Sequence, residues 1–133
     1  MKYLKFKLFA FFLTLTVISS CGVDDGDCYS DGYVYASTVT GPTTAVVDEE
    51  ITLNVSFKIY SSCGAFTGFD QSQSFPKNVH IKVRYTGCQC TNTNTTVTEP
   101  YVFSADEPGE YELKFLKEDN TYITRTITVT EAD

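Results

Sequence analysis

A strict alternation of apolar and polar side chains is the feature of this sequence that most limits its fold. From Ile51 to Tyr60 five apolar residues occupy every second position, and Val79–Tyr85 repeats the pattern. A period of two puts one set of side chains on each face of an extended strand. The other β-branched and aromatic runs are shorter and are separated by turn residues such as Gly41-Pro42 and Pro108-Gly109. We therefore predict an all-β fold of six or seven strands, with no convincing helical period after residue 31.

Strands with one apolar face each can cover that face against a second sheet, which favours an antiparallel β-sandwich. Two stretches also resemble a known family. Glu107–Leu113 is similar to the corner before strand F of immunoglobulin-like domains, and Gly41–Ile51 is similar to the passage from strand A′ to strand B of bacterial immunoglobulin-like modules. The resemblance covers roughly residues 32–132. It implies an immunoglobulin-like sandwich in which Tyr111 is a tyrosine corner, with its hydroxyl hydrogen-bonded to nearby main chain.

The chain departs from the antibody-type members of that family in two respects. Val55 and Leu113 stand where those domains keep their two bridging cysteines, and the sequence contains no tryptophan. The resemblance therefore concerns the fold and implies no activity, since the same sandwich serves many unrelated functions.

The N-terminus has the pattern of an export signal. Three lysines precede the apolar run Leu8–Val17, and small residues follow at Ser19 and Ser20. The run is shorter than the ~20 apolar residues that span a bilayer. Ile18–Gly22 resembles the lipobox of bacterial lipoproteins, which implies that residues 1–20 are a cleaved helical signal peptide and that Cys21 is lipidated. A plain secretory signal with a coincidental cysteine is the alternative.

The lipobox resemblance also implies an anchor and a location for the mature chain. Lipid chains on Cys21 would hold it durably in the outer membrane of a bacterial cell envelope. We expect residues 21–31 to form an acidic tether and residues 32–133 to form the folded domain. Asp24, Asp25 and Asp27 resemble the surface-export signal of some Gram-negative lipoproteins, which implies exposure on the cell surface. A solvated linker without any signal is the other interpretation.

Charge and cysteine content narrow the classes of partner and cofactor. The net charge of −7 becomes −10 once the three signal lysines are removed, which disfavours nucleic acid and anionic headgroups as partners.

Four cysteines remain after Cys21, an even number that suits an oxidising compartment. Cys88 and Cys90 are too close to bridge each other without strain, so we expect one to reach Cys63 and the other Cys28, in either order. Zinc binding would lack the usual paired spacing, and we expect neither a metal nor a cofactor.

Ser61–Asn78 is the segment with the clearest functional signal. We expect a loop of eighteen residues there, long for a sandwich connection, which Cys63 staples to the neighbourhood of Cys88 and Cys90. Its aromatic, amide and carboxylate side chains suit a sugar or an extended peptide. The candidate ligand-binding residues are Phe66, Phe69, Asp70, Gln71 and Phe75. The alternative is that one or two of the phenylalanines cap the open end of the core.

No residue pattern singles out a catalytic group. His80 is the only histidine, and it lies on the polar face of a predicted strand. Thr91–Thr98 is low in complexity and predicts either a flexible hairpin tip or an edge strand. We therefore predict non-catalytic binding or adhesion, with a glycan or a protein as ligand. The alternatives are a structural or accessory subunit of a periplasmic or outer-membrane assembly, and a small disulfide-stapled inhibitor of a hydrolase.

Overall fold

The described part of the chain is built from strands. The computed structural model describes residues 28–132, so the predictions for the signal peptide, for Cys21 and for most of the tether lie outside the described residues. Nine strands follow one another: β1 Tyr29–Val34, β2 Ala36–Thr40, β3 Thr44–Val46, β4 Ile51–Ser61, β5 Gly64–Gln71, β6 Lys77–Thr86, β7 Asn92–Phe103, β8 Gly109–Leu116 and β9 Tyr122–Thr130. Residues 28–132 contain no helix of the length and apolarity that crossing a bilayer requires. The all-β prediction is confirmed.

The strands form two sheets. One has three strands in the order β2-β4-β7. In the other, β6 has β5 on one side and both β1 and β8 on the other, and β9 and β3 continue the sheet beyond β8. β8 pairs with the first three residues of β6, Lys77–Val79, and β1 pairs with the later part from Ile81 to Thr86. The two-sheet arrangement is consistent with a β-sandwich.

The strand count and two strand directions differ from the prediction. Residues 28–132 contain nine strands where six or seven were expected. The pairs β3–β9 and β6–β8 are parallel, so the expectation of purely antiparallel sheets was wrong at these two places. The additional strand β5 accounts for the second pair, because one more reversal of the chain makes β6 run in the direction of β8.

The strand inside Ser61–Asn78 corrects our expectation of a loop. β5 occupies Gly64–Gln71 and pairs antiparallel with β6. A register shift between Phe66 and Gly68 marks a β-bulge, which moves the inward positions by one residue. Phe66 and Phe69, three positions apart, both pack against the core as a result. The sequence of this strand therefore shows no strict period of two.

The strand bounds also show where Thr91–Thr98 and the end of the predicted tether lie. Most of Thr91–Thr98 lies in β7, whose neighbour in the three-stranded sheet is β4, so the edge-strand alternative is the one that holds. β1 begins at Tyr29, and the folded part therefore starts within the tether that was expected to extend to residue 31.

The core lies between the sheets and follows the predicted alternation. All five alternating apolar residues of β4 are buried, and so are Val79, Ile81 and Val83 of β6. The largest fully buried side chains are Phe57, Phe115, Leu53, Ile81, Leu113 and Ile127. Burying each side chain of this size contributes roughly 1.5–3 kcal/mol. The packed core holds the strands, and therefore their ends, in fixed relative positions.

Candidate functional site

Two disulfides gather three segments at one end of the fold, which we call the disulfide end. Cys28–Cys88 joins the start of β1 to the β6–β7 loop, with the Cα atoms 5.1 Å apart. Cys63–Cys90 joins the β4–β5 turn to the same loop, at a Cα distance of 5.5 Å. The prediction of two disulfides that link Cys88 and Cys90 to Cys28 and Cys63 is confirmed, and the tertiary structure selects the order.

Phe66 and Phe69 lie in the packing between the sheets. Both are half-buried, and they form a chain of ring contacts from β4 to β7. Phe57 and Phe66 have ring centroids 5.7 Å apart, Phe66 and Phe69 5.0 Å, and Phe69 and Tyr101 5.3 Å. Their position is the one described by the alternative in which phenylalanines of this segment cap the core.

The other three predicted ligand residues point in different directions. Phe75 is 40% exposed and packs on Tyr111, with ring centroids 4.8 Å apart. It follows the end of β5 that is farther from the Cys63–Cys90 disulfide. Asp70 accepts a hydrogen bond from the Tyr33 hydroxyl at 3.0 Å, and Gln71 accepts one from Tyr101. The five residues are therefore not assembled into one exposed surface.

A groove lined by tyrosines opens where the chain crosses from one sheet to the other. β8 leaves β6 after Val79, β1 takes its place from Ile81 onward, and the chain then passes through Tyr35 into β2 of the other sheet. The gap has a volume of about 700 Å³. Six parts of the chain line it: β1, the crossover residue, β2, β4, β6 and the β8–β9 turn. The lining residues are Tyr33, Val34, Tyr35, Ala36, Ser37, Lys58, Tyr60, Tyr85, Lys117, Glu118 and Asp119. We call this feature the tyrosine groove.

The tyrosines of the groove differ in exposure and in hydrogen bonding. Tyr33, Tyr35 and Tyr60 are 58%, 44% and 51% exposed, whereas Tyr85 is half-buried. The Tyr33 ring lies 5.6 Å from the ring of His80, and the hydrogen bond to Asp70 raises the pKa of the Tyr33 hydroxyl. Tyr33 therefore has a defined position, and two of the other rings present open surface to solvent.

The charged residues of the groove balance each other. Lys117 forms an ion pair with Asp119 at 3.3 Å, and the hydrogen bond from the Thr121 side chain holds the pKa of Asp119 below its usual range. Together with Lys58 and Glu118, this pair gives the lining two positive and two negative charges. The groove is thus locally neutral on a chain of net charge −7.

Sequence reasoning missed this groove because its lining residues are far apart in the chain. Tyr33 and Tyr35 precede Tyr60 by about twenty-five residues, and Tyr85 follows by as many again. The one available signal was Tyr60, an aromatic residue at a polar position of the clearest strand pattern in the sequence.

The remaining residues singled out from the sequence have local roles in the structure. The Tyr111 hydroxyl donates to the Glu107 carbonyl at 2.7 Å, which is the kind of contact that a tyrosine corner makes. His80 stands on the outer face of its sheet beside Tyr33. Within residues 28–132, no three His, Cys, Asp or Glu side chains are grouped as the ligands of a metal ion would be. Comparisons with protein-family models, with curated proteins and with solved structures yielded no match to this chain.

Proposed function

We propose that this protein is a lipoprotein of the bacterial cell envelope that binds a glycan or a protein ligand without transforming it, and that the tyrosine groove is its ligand site. Lipid on Cys21 would anchor it in the outer membrane, with the sandwich exposed on the cell surface beyond an acidic tether. The observation that carries the binding function is that four tyrosines from three separate segments of the chain line one concave surface.

The size and the chemistry of the groove both suit a ligand. Its volume of about 700 Å³ lies within the ~300–1,000 Å³ typical of ligand sites. Tyrosine rings supply large contact areas with little loss of side-chain entropy, and their hydroxyls can bond polar groups of a ligand. Single exposed aromatic residues are common on protein surfaces, whereas a cluster of them at one place indicates an interaction site.

The immunoglobulin-like assignment belongs to the same proposal. The Tyr111–Glu107 hydrogen bond supports it, since a tyrosine corner is a mark of that fold. The parallel β6–β8 pair departs from the antiparallel sheets of the family. The assignment would therefore describe a divergent member, and the proposed binding function does not depend on it.

The groove is tested in a lipid-free protein, in which Cys21→Ser is combined with an ordinary secretory signal in place of residues 1–20. This protein is screened on a glycan array and against a displayed peptide library. We expect binders whose affinity falls at least about tenfold in the Tyr35→Ala/Tyr60→Ala variant, because both exposed rings are removed.

Two single variants serve as controls for the groove. Tyr122 is 46% exposed but does not line the groove, so Tyr122→Ala should leave the affinity unchanged. Phe75→Ala tests whether Ser61–Asn78, the segment predicted from the sequence to bind the ligand, contributes to the affinity. If the Tyr35→Ala/Tyr60→Ala variant binds as tightly as the wild type, the groove is not the ligand site. If only Phe75→Ala loses affinity, the ligand site lies in Ser61–Asn78.

Anchoring and location are tested on the native protein in cells. Labelled palmitate should be incorporated into the wild type and should be absent after Cys21→Ser. Protease added to intact cells should degrade a surface-exposed lipoprotein while a periplasmic control survives. Protection until the outer membrane is opened would contradict surface exposure and would favour a periplasmic role.

One observation supports a second candidate function, that of an accessory subunit which docks through a sheet edge. β7 is twelve residues long, and within residues 28–132 it has a strand neighbour on one side only. Such edges accept partner strands. This candidate predicts a stable co-purifying partner and no affinity for free glycans.

A further inference from the structure

We infer that the ligand of the tyrosine groove is an extended polypeptide segment, which adds as a strand to the free edge of β4. The inference rests on the proposed function and names the ligand class for the same site. It depends on three features of the structure: an unpaired length of strand, side-chain pockets beside it, and a local balance of charge.

The unpaired length of strand is the last part of β4. On the groove side, β2 pairs with β4 from Asn54 to Phe57. β4 continues to Ser61, and over this last part its strand neighbour is β7 alone, on the opposite side. Lys58 and Tyr60 of this part line the groove. Roughly 13 Å of strand edge, at about 3.3 Å per residue, therefore faces the groove without a strand partner.

The edge is open because the pairing of β2 with β4 ends at Ala36, next to a bulge in β2. The register of β2 against β4 shifts between Ala36 and Thr38. Ser37 holds the bulge in place, since its hydroxyl donates to the Ser56 carbonyl at 2.9 Å. Immediately before the bulge, the chain crosses at Tyr35 to the other sheet. A segment that entered the groove would thus continue the line of β2 along β4.

The tyrosines supply the side-chain part of the recognition. When a peptide adds to a sheet edge, main-chain hydrogen bonds provide affinity, and pockets for alternate side chains provide specificity. Tyr60 lies on β4 itself, Tyr35 comes from the crossing chain, and Tyr33 and Tyr85 come from β1 and β6 of the other sheet. A strand in the groove would therefore have aromatic rings beside it from both sheets.

The charge of the lining indicates the composition of the segment. Two lysines and two carboxylates line the groove, so neither a strongly basic nor a strongly acidic peptide is favoured. We expect an uncharged segment with apolar or aromatic residues at alternate positions.

β7 offers a longer edge but lacks these features. Pro100 removes one backbone donor from the strand, and Glu99 places a charge beside it. Both are means by which edge strands resist pairing. The groove combines a free edge with pockets, and for this reason we prefer it to β7.

The experiment uses the lipid-free protein and a synthetic library of linear octapeptides as the probe. The tightest peptide is remade as a series in which each backbone amide in turn is N-methylated. Strand addition uses the amides of every second residue, so we expect affinity to fall at least about tenfold at alternate positions and to change little at the others. The same peptide should lose at least about tenfold on the Tyr35→Ala/Tyr60→Ala variant.

Two control variants separate the groove from other surfaces. Tyr122→Ala removes an exposed tyrosine outside the groove, and Val102→Lys places a charge on β7 opposite Thr52, away from the groove. Neither should change the affinity of the peptide. Sensitivity to Val102→Lys with indifference to the groove variant would overturn the inference in favour of the β7 edge.

The remaining outcomes distinguish the inference from the proposed function. Peptide binding in the groove that is indifferent to N-methylation overturns strand addition but keeps the binding function. Glycan binding that the groove variant abolishes, without peptide binding, also overturns the inference and keeps the function. Absence of both peptide and glycan binding through the groove overturns both.

Discussion

Removal of the disulfides one at a time provides the most quantitative test of the structure. Cys28–Cys88 closes a separation of 60 residues and Cys63–Cys90 one of 27. Loop-closure entropy taken for each bridge alone gives stabilisations of about 4.3 and about 3.5 kcal/mol. The two loops overlap, however, because Cys63 lies inside the first and Cys88 inside the second.

The overlap changes the expected cost of losing the longer bridge. While Cys63–Cys90 is intact, the shortest path between Cys28 and Cys88 passes through that bridge and covers roughly 37 residues, which lowers the expected cost to about 3.8 kcal/mol. The same coupling lowers the cost of losing the shorter bridge, so the two single-bridge variants should lose similar free energies of unfolding, about 3–4 kcal/mol, despite very different separations. Loss of both bridges should cost about 7 kcal/mol, which is comparable with the whole stability of a domain of this size.

The assay is equilibrium unfolding of the lipid-free protein in guanidinium chloride, with Cys28→Ser/Cys88→Ser compared with Cys63→Ser/Cys90→Ser. Replacing both partners avoids a free thiol, and the slope m of each transition shows whether the unfolded state has expanded. Near-equal losses support the pairing and the overlapping loops. A cost below about 1 kcal/mol for either bridge, or a difference above about 1.5 kcal/mol, would refute this account.

Three further predictions concern single residues. Gly64→Ala should destabilise by about 1–3 kcal/mol, because the added methyl would meet the Ile59 side chain, whereas Gly32→Ala makes only an ordinary 3.5 Å contact and should cost less in the same unfolding assay. Burial raises the pKa of Tyr101 to about 12, above the ~10 of an unfolded tyrosine, so the associated stability is complete below pH 10 and is lost as the pH rises towards 12. Denaturant midpoints measured from pH 9 to pH 11 should fall less in Tyr101→Phe; equal slopes would contradict the assignment. Tyr111→Phe removes one hydrogen bond to the upstream main chain and should lower stability by about 0.5–1.5 kcal/mol, and an unchanged melting temperature would argue against a structural corner.

The outcome for individual strands shows what local pattern can and cannot decide. The alternation in β4 and β6 predicted both strands and their buried faces, because a period of two is a property of the strand alone. β5 escaped prediction because its bulge brings Phe66 and Phe69, three positions apart, to the same side. Whether β5 bulges depends on how it pairs with β6, and its own eight residues do not determine that pairing.

The candidate site was predicted less well than the fold, for a related reason. Ser61–Asn78 was predicted to bind a ligand because its aromatic residues are close together in the sequence. In the structure, two of them, Phe66 and Phe69, pack against the core. The tyrosine groove instead unites residues from β1 to the β8–β9 turn, and no local signal connects them.

The sequence by itself determined the all-β class, the apolar faces of its two clearest strands and the presence of two disulfides that share the Cys88–Cys90 neighbourhood. These are consequences of side-chain period, cysteine number and ring size, all of which act over short distances along the chain. Only the tertiary structure decided which cysteine pairs with which, that β6 runs parallel to β8, and that β2 leaves β4 to open a groove. Each of these depends on contacts between distant segments, which form only when both sheets bury their apolar faces together.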